Sequence, residues 1–176
     1  ALPISEAVTV KIELVAADGT VTVLKEKTPL LAGEVLDATV LMKDPLVVKR
    51  GLSRKAFGKQ LVWLGGNVEI ISRARIEIEA MRLMVLKAAK AMDVLGNREA
   101  RIWVHMVKAM VPERVCQIID QAIQIHGATG VSQWTPLPEM YKHQRHLRFA
   151  DGPDEVHHMV VSRAEIKKHQ PGRNAP

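Results

Sequence analysis

Aromatic residues are scarce in this chain, cysteine occurs once, and no apolar run approaches the length of a membrane span. Each shortage excludes something. With aromatics at 3% of 176 residues, the apolar content falls to Val, Ile, Leu, Met and Ala, which favours packed helices over an all-β sandwich. The lone Cys116 rules out an internal disulfide and fits a reducing compartment. Its apolar helical context makes it a small core residue. No signal peptide is visible and no SKL-type peroxisomal ending is present, so the expected compartment is the cytoplasm or the mitochondrial matrix. There is no HExxH pattern, no second cysteine, no internal repeat and no basic run interleaved with aromatics. Without a further ligand, His143 and His146, three apart, and the nearby His157 and His158 read as surface or partly buried histidines, and no metal site is expected.

What is abundant is aliphatic. Hydrophobic residues make up 47% of the chain, enough for a sizeable core. The net charge of +6 is unevenly spread: residues 1–44 hold four Lys and seven acids, and residues 45–176 hold 21 basic and 12 acidic residues. That shift from −3 to +9 marks two segments of different character. The positive segment suits phosphate-bearing ligands such as coenzyme A and flavin dinucleotide. Its charges alternate with acids along helices, so nucleic acid is not the expected partner.

The first segment reads as a β-hairpin. Val8, Val10, Ile12 and Leu14 alternate with Thr9, Lys11 and Glu13, the period of a half-buried strand. Asp18-Gly19 supplies the turn and Thr20 to Leu24 the return. Pro45 marks the boundary. From Asn67 the period changes. Ile71, Ala74, Ile78, Met81, Val85, Ala88 and Met92 form one apolar helix face, with Glu69 and Arg73 suited to a surface pair. Gly96-Asn97 reads as a left-handed C-cap followed by an N-cap. Val104, Val107, Val111, Val115, Ile118, Ala122 and Ile125 carry the next helix, and Pro112 inside it predicts a kink or short break. Two such helices joined tightly make an antiparallel hairpin. A third helix is expected from Pro136 or Pro138 to about Leu147, and a fourth from 151–153 to about His169. With a helix before Gly51, the fold class is mainly α: an antiparallel up-and-down bundle of four to five helices with a short N-terminal β-hairpin.

Four stretches carry a family likeness: LSRKAFGK (Leu52–Lys59), ARIEIEAMRLMVLKAA (Ala74–Ala89), IIDQAIQIHGATGVS (Ile118–Ser132) and LRFADGPDEVHH (Leu147–His158). In this order and spacing, over roughly 120 residues, the chain from about Val47 resembles the C-terminal helical domain of acyl-CoA dehydrogenases, in the subgroup whose last motif reads ADGPDEVH. The resemblance implies a flavoprotein in which a carboxylate removes the α-proton of an acyl-CoA thioester while the β-hydride passes to FAD. Asp151, before Gly152, stands at the place of that carboxylate. Arg54 and Phe57 correspond to residues that contact the flavin dinucleotide of a neighbouring subunit, and Gln124 and Gly127 to others near its far end. Assembly as a homodimer or homotetramer through the helical domain is implied too. The chain departs from the family pattern at Trp63 and Leu64, where Glu-Gln is usual, and at Ala128, where a second Gly is usual. The family's other two domains are absent from this sequence. Residues 10–40 are similar to an internal stretch of monomeric-type isocitrate dehydrogenase, with none of its catalytic residues.

Residue chemistry leaves alternatives beside each role. Asp151 before Gly-Pro is a good N-cap as well as a candidate base. Arg54 can meet a pyrophosphate with paired N–H donors, with Phe57 against a ring, or the two can form a basic loop with Phe57 in the core. The whole chain can be part of an enzyme, incomplete alone, or a non-catalytic helical oligomerisation module.

Overall fold

The structure, a computed structural model, describes residues 46–170 and the strands β1 (Ile12–Val15) and β2 (Val21–Leu24). The two strands pair antiparallel, Ile12 opposite Leu24 and Val15 opposite Val21, which is the expected hairpin. Its turn at Asp18-Gly19, the strand residues before Ile12, and Pro29, Gly33 and Pro45 lie outside the described residues.

Helix α1 (Leu46–Ser53) contains Gly51, where a helix only preceding that residue was expected. A Cβ on Gly51 would stand 3.0 Å from Val62 Cβ; its absence lets α1 rest on the 3-10 turn Leu61–Trp63. Between them β3 (Lys55–Ala56) and β4 (Lys59–Gln60) form a miniature hairpin. Helix α2 (Asn67–His126) is bent back on itself at Gly96, whose φ of 77° and ψ of 167° are the only non-helical values within it. The positive φ was expected; the extended ψ makes this a glycine-only conformation rather than the left-handed cap predicted. The two arms, 67–95 and 97–126, run antiparallel: Arg114 reaches Glu77 at 3.7 Å and Lys87 lies over the Trp103 ring. Their seams meet as Ile78, Met81, Val85 and Ala88 against Val107, Val111, Val115, Ile118 and Ala122. The Glu69–Arg73 pair forms on the exposed surface.

Pro112 does not break the second arm. Its backbone stays helical and the ring is buried. Proline forfeits one N–H bond, but the apolar residues on both sides bury their side chains completely, and that packing holds the helix through it.

Helix α3 (Leu137–Leu147) starts where expected. Pro136 and Pro138 fall where a missing N–H costs nothing. Leu137, Met140 and Tyr141 face the core. Helix α4 (Asp154–His169) has acids in its first turn and Lys167, Lys168 and His169 in its last, matching the helix dipole at both ends. Its N-cap is Pro153, with no side-chain cap bond. The capping role read for Asp151 is therefore not realised: Asp151 sits three residues before the helix, in a turn.

Candidate functional site

The turn between α3 and α4 spans 148–153, and it is tightly built. Asp151 has φ 55°, the left-handed region that Asp tolerates better than most residues. Gly152 follows at φ 109°. This double reversal sends the Asp151 side chain outward, exposed. Three buried side chains, Lys108, Asp154 and His157, hold the turn from beneath. Lys108, 6% exposed, donates from Nζ to the Leu147 carbonyl at 2.5 Å and to the Gly152 carbonyl at 3.5 Å. A cation at the last carbonyls of α3 also complements that helix's dipole. Arg148 Nε donates to Asp154 Oδ2 at 2.6 Å, and the Asp154 amide returns a bond to the Arg148 carbonyl at 3.1 Å. The hydrogen bond to Asp154 holds the guanidinium of Arg148 above its ordinary pKa. His157, in the first turn of α4, presses against Gly152; a Cβ there would lie 3.2 Å from His157 Nε2.

His157 meets His105 of the second arm, Nδ1 to Nδ1 at 2.8 Å. Burial pushes both imidazoles below the usual 6.5. For His105 the neighbouring His157 and Arg101 add to it; for His157 the Lys108 cation adds to it, while the backbone of Gly152 and Asp151 and the Asp154 carboxylate pull the other way.

The other anticipated residues lie elsewhere. Arg54 and Phe57 share the β3–β4 hairpin. Phe57 is 97% exposed at φ 50°, which overturns the reading of Phe57 tucked into the core: a positive φ at the tip of a two-residue turn leaves the ring nothing to pack on. Arg54 is exposed, and its side chain has no ion pair among the described residues. Gln124 lies exposed in the last turn of α2. Gly127 ends that helix at φ 61°, its N–H bonded to the Gln124 and Ile123 carbonyls. Asn67 Nδ2 ties the start of α2 to the Leu61 carbonyl at 2.7 Å, so both clusters occupy the end of the bundle where the arms begin and finish. Asp151 is remote from that end. From Lys108 to Gln124 the helix rises about 24 Å.

An open groove of about 760 Å³ separates the arms beside α3, lined by Glu69, Arg73, Glu77, Glu113, Tyr141 and Arg148 among others. Cys116 is at its floor, but burial pushes that thiol up, so the groove holds no activated nucleophile. His143 and His146 are exposed, and no three ligating side chains gather among the described residues. Among the described residues no helix is long and apolar enough to cross a membrane.

Sequence reasoning missed Lys108, His105 and the Arg148–Asp154 clasp. Lys108 carried a signal: it stands between Val104 and Val111 on the apolar stripe of the second arm, where a cation needs a reason.

The sequence profile described as "Acyl-CoA dehydrogenase, C-terminal domain" matches residues 41–166. The chain belongs to this acyl-CoA dehydrogenase family. It is 49% identical over 122 residues to mouse acyl-CoA dehydrogenase family member 10, covering 69% of this chain and 11% of that protein. It is 45% identical over 122 residues to rat acyl-CoA dehydrogenase family member 11, covering 69% of this chain and 16% of that protein. A solved Mycobacterium abscessus structure of the acyl-CoA dehydrogenase type aligns at TM-score 0.76 and 45% identity, over 80% of this chain and 34% of that one. Butyryl-CoA dehydrogenase from Megasphaera elsdenii shares the fold at TM-score 0.69 and 23% identity, over 77% of this chain and 34% of that one. The chain thus corresponds to the C-terminal helical part of acyl-CoA dehydrogenases and spans only a fraction of each relative.

Proposed function

We propose that this chain is the C-terminal part of an FAD-dependent acyl-CoA dehydrogenase in which Asp151 takes the α-proton of an acyl-CoA thioester. The observation that carries this reading is the outward presentation of Asp151 from a turn fixed by buried groups. Its carboxylate makes no hydrogen bond or ion pair among the described residues, so it is free to accept a proton. Abstraction from carbon also needs a dry site and an acidified substrate, and the walls for both would come from the parts of the relatives that these residues do not span. The flavin, when bound, accepts the β-hydride.

Arg54 and Phe57 suit a dinucleotide. An unpaired guanidinium offers paired N–H donors to pyrophosphate, and an uncovered ring beside it gains by stacking. Gln124 and Gly127 flank the same end. The separation of this end from Asp151 agrees with the family pattern, where the two regions serve flavins of different subunits. The motif ADGPDEVH supports the subgroup assignment, since Asp151, Gly152, Asp154 and His157 each have a distinct part in the turn. We assign residues 1–44 as a separate appendage akin to the isocitrate dehydrogenase segment, and the compartment as cytoplasm or mitochondrial matrix.

A second reading, a non-catalytic assembly module, is favoured by Ile76, Leu83 and Val94. They are 65%, 65% and 63% exposed and fall on one face of the first arm, at spacings of two and three helical turns. Self-association as a homodimer or homotetramer would cover them. Flavin titration with size measurement in one sample decides. A yellow oligomer that loses flavin when Arg54 is replaced by Ala supports the enzyme part; a colourless oligomer supports the module.

A further inference from the structure

His105 and His157 lie 52 residues apart in sequence on different helices, yet their Nδ1 atoms meet at 2.8 Å. Such a contact requires one proton between the two nitrogens: one ring donates and the other accepts. The surroundings assign which. Arg101 Nε, which can only donate, points at His105 Nε2 at 3.3 Å. His105 Nε2 is therefore an acceptor, and in the neutral ring the proton resides on Nδ1. His105 Nδ1–H then donates to His157 Nδ1, which leaves the His157 proton on Nε2. That atom is buried against the Asp151–Gly152 backbone. It falls short of a well-formed hydrogen bond there, although the Gly152 and Asp151 backbone favours the protonated form of the ring. The tautomers are fixed by this pattern of donors and acceptors. One polar chain thus runs from the surface guanidinium of Arg101 through two imidazoles to the backbone that carries Asp151.

We propose that the His105–His157 pair is an acid-sensitive latch that positions the Asp151 turn. With both rings neutral, or with one proton added, an Nδ1–H···Nδ1 bond persists. A second added proton places two N–H groups head to head, and the bond is lost. The charged groups around the pair oppose protonation on balance. Arg101 faces His105; Lys108 faces His157; only Asp154 and the turn backbone favour the charged form. Because both folded pKa values lie below the unfolded 6.5, folded stability is fully present above about 6.5 and is lost as pH falls through the folded values. The turn is the first element to loosen, since α4 enters the bundle through His157.

The latch depends on the Asp151 reading only for its catalytic meaning; its test uses neither flavin nor acyl-CoA. Nitrogen-detected NMR of the full chain at pH 7.5 should show His105 protonated on Nδ1 and His157 on Nε2. Hydrogen exchange at the Asp154 amide, corrected for intrinsic rate, should accelerate as pH drops below 6. In His105→Leu it should be about fivefold faster at pH 7.5, the loss of one neutral hydrogen bond, and should respond less to pH, since only His157 still titrates there. His105→Asn, which keeps a donor near the Nδ1 position, should restore protection. Matching tautomers on the two rings, or Asp154 exchange in the parent chain that ignores pH between 5 and 7.5, would overturn the latch. The first of these measurements needs no variant.

Discussion

Lys108 shows how much one buried cation can organise. It satisfies the last carbonyl of α3 and the carbonyl of Gly152, so it joins the second arm of α2 to the turn bearing Asp151. Lys108→Met keeps most of the side-chain volume and removes the donor. We expect a loss of about 1–3 kcal/mol, the cost of stranding buried acceptors, measured as a lower urea midpoint with unchanged slope. Asp151→Asn should behave differently. Asn also tolerates φ near 55°, and the carboxylate holds nothing in place, so stability should shift by less than about 0.5 kcal/mol. If the proposed function holds, the same change in a full-length acyl-CoA dehydrogenase carrying this domain should abolish proton abstraction, read as loss of dehydrogenation with flavin still bound. The sequence suggested a cap at Asp151 because Asp-Gly-Pro commonly opens helices. It could not reveal that the chain reverses at Asp151 and Gly152 first, since that conformation is held by Lys108 from the distant second arm together with the Arg148–Asp154 and His157 contacts.

At the scale of elements, the seams were legible from periodicity alone. Helix α2 begins at Asn67 and folds back at Gly96 because the apolar pattern restarts there, and α3 and α4 start beside their prolines. Pro112 was misleading for the opposite reason: local chemistry predicts a kink or a short break, yet the helix continues through it with Val111 and Val115 fully buried beside it. Two glycines separate conformational from steric necessity. At Gly96 a Cβ would meet nothing within 4 Å, so Gly96→Ala pays only for its backbone angle, about 1–3 kcal/mol. At Gly130 a Cβ would lie 2.5 Å from the Ile123 carbonyl oxygen and 2.9 Å from His126 Cβ. Gly130→Ala should therefore disturb the end of α2 itself. Circular dichroism and thermal melting of the two variants should show similar losses of stability, with displaced amide shifts around 123–130 only for Gly130→Ala.

For the whole molecule, the principal core among the described residues comes from position 78 onward, with Leu46 and Val47 packed against it. A chain shortened to 46–176 should keep its helical spectrum and unfold in one cooperative step; loss of cooperativity would show that the first 45 residues belong to the same folding unit. The separation of the proposed sites at the two ends of the bundle was not legible in the sequence. Arg54, Phe57, Gln124 and Gly127 could be named as a set, but only the antiparallel arms place them together and Asp151 apart.

The fold-back at Gly96 also sets an order of events on the ribosome. Glu77 is synthesised 37 residues before Arg114, the partner it meets across the hairpin. At typical translation speeds the aliphatic stripe of the first arm waits roughly 2–7 s for its mate to be made. During that interval nascent chains on one messenger can zip to each other instead, so slower elongation across 97–115 should lower the yield of correctly paired protein.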